Sequence, residues 1–142
     1  MRIKEVFLTA VGTFGALLVK LFGGRNGSII TLVIFMAIDY ISGILLAGVF
    51  KKSPKSASGA LESRAGFKGL VRKAETLLIV ALAVRLDMLT GQNFIAGGVV
   101  IAFIANEAIS ITENAALIGV PLPDVLLRAI DVIKRETKTE TK

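Results

Sequence analysis

Residues 28–50 read SIITLVIFMAIDYISGILLAGVF, and residues 51–73 follow at once with KKSPKSASGALESRAGFKGLVRK. The first stretch holds a single charged side chain, Asp39. About 20 apolar residues suffice for a helix to cross the hydrocarbon core of a bilayer. The second stretch holds seven Lys and Arg residues, and such residues concentrate on the cytoplasmic side of membrane spans. Together the two predict a membrane helix that ends in the cytoplasm.

Three further apolar stretches lie outward from this pair, at residues 6–23, 74–91 and 94–118. The last is purely apolar only over 94–105, so it spans only if its polar half, 106–114, is also inside the membrane. Arg2 and Lys4 precede the first stretch, and Arg128, Lys134, Arg135, Lys138 and Lys142 follow the last. Four spans put these residues and the 51–73 segment on one side, whereas three would put the basic tail outside. The expectation is an all-α integral membrane protein with four transmembrane helices, both termini inside, and amphipathic cytoplasmic helices. Residues 1–123 would form the membrane domain; residues 124–142 would form an amphipathic helix and a basic flexible tail. The N-terminus also resembles a signal peptide, but no small-x-small cleavage motif follows Val19, so a retained span is expected.

Composition agrees. The 142 residues are 54% hydrophobic, with a mean hydropathy of +0.73. No Cys or His is present, which removes thiol chemistry, Cys/His metal sites and histidine general bases. The net charge of +6 suits an anionic inner leaflet. Nucleic-acid binding is disfavoured by the membrane flanks and the lack of stacking aromatics. No cofactor is implied.

The polar residues inside the apolar stretches carry the functional reading. In the first, Thr9, Gly12, Thr13, Ala16, Lys20 and Gly23 share one arc of a helix. Gly12 with Ala16, and Gly43 with Ala47 in the second, place small residues four apart, a spacing that lets helices approach closely in lipid. Asp39 stands mid-span, where a carboxylate costs about 2.5–3.5 kcal/mol on insertion scales, and must face the bundle. Arg85 lies about 4 Å outward of the middle of the third stretch at 1.5 Å per residue. It is therefore a candidate partner for Asp39, with Glu107 competing for it. In the fourth stretch Asn106, Glu107, Ser110, Glu113 and Asn114 fall within about 120° of a helical wheel. That stripe fits either a polar seam between helices or the wall of a water-filled lumen. Paired carboxylates also serve hydrolases, but nothing here completes such a site, and no enzyme is expected.

Residues 51–59 read as polar and flexible, and 60–73 as a helix on the inner leaflet running into the third span. Pro121 and Pro123 stop the fourth helix. Asp124 opens another, with Val125, Leu126, Ala129, Ile130 and Ile133 on its apolar side. Residues 136–142 read as disordered.

Several of these blocks resemble the toxin-secretion/phage-lysis holin family. They are IDYISG at 38–43, SG at 58–59, GFKGLVRK at 66–73, LD at 86–87, and above all NEAISITENAALIGVP at 106–121. The resemblance implies a protein of the bacterial host's cytoplasmic membrane that forms homo-oligomeric holes or depolarises the membrane. Its functional partner would be a phage endolysin, released or activated for timed lysis; relatives serve in toxin secretion. The family supplies no catalytic residues. The residues alone leave open a small oligomeric ion channel or transporter-like protein, or a membrane anchor.

Overall fold

The structure, a computed structural model, describes residues 2–21 and 27–139. Five helices follow one another: α1 (Arg2–Leu21), α2 (Gly27–Gly48), α3 (Ser63–Thr90), α4 (Ile95–Ile118) and α5 (Asp124–Thr139). The all-α expectation holds. Gly23, placed on the small-residue arc of the first stretch, lies outside the described residues, as do residues 140–142.

Helices α2, α3 and α4 form the bundle, with α4 central: it packs most extensively on α2, then on α3 and α5. Ile29, Leu32 and Met36 of α2 meet Val80, Ala81 and Val84 of α3 and Val100 of α4 in one apolar core. The opposite side of α2, with Ile30, Val33, Ile34, Ile38 and Ile41, is exposed. An apolar helix face left outward at this density belongs in lipid rather than water. Among the described residues two helices, α2 and α4, are long and apolar enough to cross a membrane. The structure supports these two rather than four. Helix α1 holds Arg2, Lys4, Glu5 and Lys20 within 20 residues, and α3 holds Lys73, Glu75, Arg85 and Asp87 in its apolar half.

Helix α1 makes no extensive contact with the other helices. A Cβ on its Gly12 would meet nothing within 4 Å, and Ala16 is exposed, so among the described residues the expected packing face has no partner. Gly43 and Ala47 do meet neighbours: Ala47 is buried, and a Cβ on Gly43 would sit 3.8 Å from Asn114 Nδ2.

The surface helix and third span expected as two parts are one 28-residue helix, α3. Its first turns pass Tyr40, whose ring lies over Gly66 and Gly69. The connection from α2 is not the flexible segment expected for 51–59. Ser53 N–H donates to the Gly59 carbonyl at 3.0 Å, Lys52 N–H to Leu46 at 3.1 Å, and Ser56 Oγ to Ala60 at 2.7 Å. Gly59 has φ +75°, and a Cβ there would collide with the Lys51 carbonyl oxygen.

At the far end of α3, Gly91 closes the helix in the left-handed region, φ 70°, the usual role of glycine after a helix C-terminus. The buried Asp87 then turns its carboxylate onto the start of α4, accepting from Ile95 N–H at 3.0 Å and Ala96 N–H at 2.9 Å. Two otherwise unpaired amides are satisfied, and a negative charge sits at the positive end of the helix dipole. Helix α4 continues through its polar half to Ile118 and is closed by Gly119, whose N–H donates to Ala115 and Ala116. Helix α5 opens at Asp124, buries Ile130, and runs to Thr139. Residues 136–139, expected to be disordered, are its last turn.

Candidate functional site: an intramembrane ion clasp and its cleft

Chain direction sets the site. Helices α2 and α3 run antiparallel about the connection at residues 49–62. Asp39 lies nine residues before the end of α2, and Lys73 ten residues after the start of α3. Both are therefore about 14–15 Å from the connection at 1.5 Å per residue. Helix α4 returns along α3 and brings Glu107 to the same level.

There the Lys73 ammonium donates to Asp39 Oδ2 at 2.7 Å and to Glu107 Oε2 at 2.6 Å. One cation thus clasps three helices. Asp39 is 5% exposed and Glu107 8%. Asn114, two turns beyond Glu107 on the same side of α4, is 4% exposed. Its Nδ2 donates to Asp39 Oδ1 at 3.2 Å and to Ser42 Oγ at 3.0 Å. Ser42 Oγ in turn donates to the Asp39 carbonyl at 3.0 Å. Among the described residues no buried side-chain nitrogen or oxygen lacks a partner. Such closure is what a polar group at membrane depth requires.

Asp39 thus faces the bundle and is paired, but not with Arg85. Arg85 is exposed, and its guanidinium lies 4.0 Å from Met88 Sδ. Twelve residues separate it from Lys73, about 18 Å of helix. Arg85 is central only in a helix that starts at residue 74; α3 begins at Ser63, which moves its middle toward Lys73. Competition between Asp39 and Glu107 for one cation is real, and the cation is Lys73. Sequence reading assigned Lys73 to the cytoplasmic segment. The signal was available in the helical spacing: Lys73, Leu77, Val80, Val84 and Asp87 recur at three and four residues, and the last three are buried.

The α4 stripe divides. Glu107 and Asn114 turn into the clasp, Ser110 is half-buried, and Asn106 and Glu113 are exposed. All but Asn114 line an open cleft of about 660 Å³, together with Lys55, Lys68, Arg72, Lys73 and Glu75. A second, smaller cavity of about 70 Å³ under the 51–62 connection also reaches Asp39, Lys73 and Asn114. Glu107 and Asn114 thus lie in a polar seam between helices, while Asn106 and Glu113 face the open cleft. Among the described residues no three acidic side chains gather as a metal site.

Comparison with known proteins adds a family. Residues 16–135 match the model of the bacteriophage holin family. A protein of Bacillus phage phi105 named a probable holin is 34% identical over 112 residues, 78% of this chain and 77% of the phage protein. An uncharacterised protein of Listeria monocytogenes is 38% identical over 118 residues, 82% of this chain and 79% of its own length. A 14.9 kDa protein of Clostridium perfringens, from the nagH 3' region, is 35% identical over 120 residues, covering 83% and 85%. No solved structure matches.

Proposed function

The chain belongs to the bacteriophage holin family, and from that premise we propose that it permeabilises the host cytoplasmic membrane at the end of infection. Copies of the chain accumulate in the membrane and assemble. The assembly either opens holes large enough to pass a phage endolysin or depolarises the membrane so that an exported endolysin becomes active. Export of a toxin would use the same hole. The family match over most of the chain carries this reading. An apolar exterior wrapped around a charged clasp supports it.

Among the described residues apolarity selects α2 and α4 alone; on the distribution of basic residues we propose that α1 and α3 also span in the resting subunit, with both termini and residues 51–62 inside. Of the lysines and arginines outside the apolar stretches, all but Arg25 then fall on one side. The exposed Gly12 and Ala16 side of α1 is available to a neighbouring subunit, where small residues allow close helix contact. Four helices enclose no protein-sized lumen, so a hole requires several copies.

The test is inducible expression in a bacterial host. A holin stops respiration abruptly after a delay, and co-expressed endolysin or a large dye then escapes. Release of ions alone would point to a narrow channel, and no release to an anchor. Topology is read separately with cysteines at Ser56, Asn93 and Thr139 of this Cys-free chain. Only Asn93→Cys should react with an impermeant thiol reagent before lysis.

A further inference from the structure

The mouth of the cleft between α3 and α4 has an uneven charge. Lys68 and Arg72, one turn apart on α3, and Lys55 from the connection line it. None of the three has a carboxylate within 4.0 Å among the described residues, where Lys73 alone holds ion pairs. The facing wall on α4 offers Asn106, Ser110 and Glu113. Asp39 and Glu107 are engaged by the clasp. A ligand in the cleft therefore meets three cations free of ion pairs and two carboxylates, Glu75 and Glu113, with hydroxyl and amide groups opposite.

On the neighbouring face of the same turns, Phe67, Leu70 and Val71 are 68%, 49% and 50% exposed. An apolar surface adjoining a cationic notch fits a molecule with a phosphate and acyl chains. Basic pockets between membrane helices on the cytoplasmic side hold anionic lipid headgroups. We infer that this cleft binds the headgroup of an anionic glycerophospholipid of the phosphatidylglycerol type. Its phosphodiester lies against Lys55, Lys68 and Arg72, and its glycerol hydroxyls meet Glu113 and Ser110. Phosphatidylcholine carries no donor for that second wall and a positive charge where three cations already stand. The inference rests on the proposed orientation, in which the cleft opens at the inner leaflet.

The full chain in nanodiscs of equal phosphatidylglycerol, phosphatidylethanolamine and phosphatidylcholine provides the test, with co-purifying lipid read by native mass spectrometry. Phosphatidylglycerol should be enriched on the protein. Lys68→Gln with Arg72→Gln should lower that enrichment about thirty-fold, the scale of two basic contacts at a membrane surface. Lys68→Arg with Arg72→Lys should keep most of it and shows that the site survives substitution. Lys134→Gln with Arg135→Gln removes the same charge from α5 and should change little. Equal loss from both neutralised pairs would mean diffuse attraction and overturn the site. Enrichment of phosphatidylethanolamine instead would overturn the headgroup assignment. Displacement of the lipid by millimolar inorganic phosphate would show that the cleft takes the bare anion. Labelling of Ser56→Cys reports the orientation independently, so failure of the topology is not mistaken for failure of the site.

Discussion

Lys73 holds two carboxylates with one ammonium, at 2.7 and 2.6 Å. Its loss would be felt more than the loss of either acid. Removing one partner of a buried ion pair leaves an uncompensated charge, commonly at a cost of about 3–5 kcal/mol. Lys73→Met strands both Asp39 and Glu107 in the bundle, and a cost of about 3 kcal/mol or more is expected. Asp39→Asn is milder, because Lys73 keeps Glu107 and the new amide still accepts from Asn114. Adding Asp39→Asn and Glu107→Gln to Lys73→Met removes every charge and should recover most of the stability. Unfolding of the purified proteins in mixed micelles measures all three. If the triple variant is no more stable than Lys73→Met alone, the clasp is not an electrostatic unit. The same series should order lysis timing, with Lys73→Met lysing earliest, as expected if the clasp holds the sealed subunit together. Asp39 as a bundle-facing, paired residue was legible from cost alone, since a lipid-facing carboxylate at that depth is too unfavourable. Its partner was not, because pairing depends on where α3 begins, and no proline or glycine signal marks residue 74 as a boundary.

At the scale of the elements, hairpin geometry decides which residues meet. Asp87 fixes the α3–α4 corner by accepting from two amides at the start of α4, and Gly91 turns the chain between them. Loss of a side-chain cap costs about 0.5–2 kcal/mol, so Asp87→Ala should destabilise by about that amount. It should also loosen the register that brings Glu107 to Lys73. Hydrogen exchange at Ile95 and Ala96 in micelles should rise in this variant, and unchanged protection there would deny the cap its role. The five helices and their order could be read from apolar runs, Pro121, Pro123 and the capping residues. Two local features escaped that reading for the same physical reason. The 51–62 connection looked flexible because its composition is polar, yet its serines close hydrogen bonds with its own backbone. The last turn of α5 looked disordered because residues 136–139 are polar, yet a helix already seated through Ile130 continues past its apolar stripe. Composition reports solvation, whereas local hydrogen bonding depends on spacing.

For the whole molecule, the bundle partly inverts a soluble fold: apolar side chains cover much of its outside, while Asp39, Asp87 and Glu107 are buried within it. Resemblance to a lysis family was legible in the α4 block at residues 106–121, the segment that supplies Glu107 and Asn114 to the clasp and Asn106 and Glu113 to the cleft. The partition of that stripe was not legible, because a helical wheel gives direction but not what stands opposite. It matters for how a hole would form. Glu107 and Asn114 are satisfied inside one subunit, with α2 and α3 rather than the small-residue side of α1 as their cover. Asn106 and Glu113 are already exposed to the cleft and need no refolding to meet water or another subunit. Widening the cleft between α3 and α4 would then add a hydrated wall without first breaking the α2–α4 contact, the most extensive among the described residues. Water solvates such a wall where lipid cannot. The double variant Glu113→Leu with Asn106→Leu makes the wall apolar while sparing the clasp. It should insert at normal levels and keep its stability in micelles, yet release no endolysin or large dye on induction. Lysis on the normal schedule at matched membrane levels would show that the fourth helix does not line the hole.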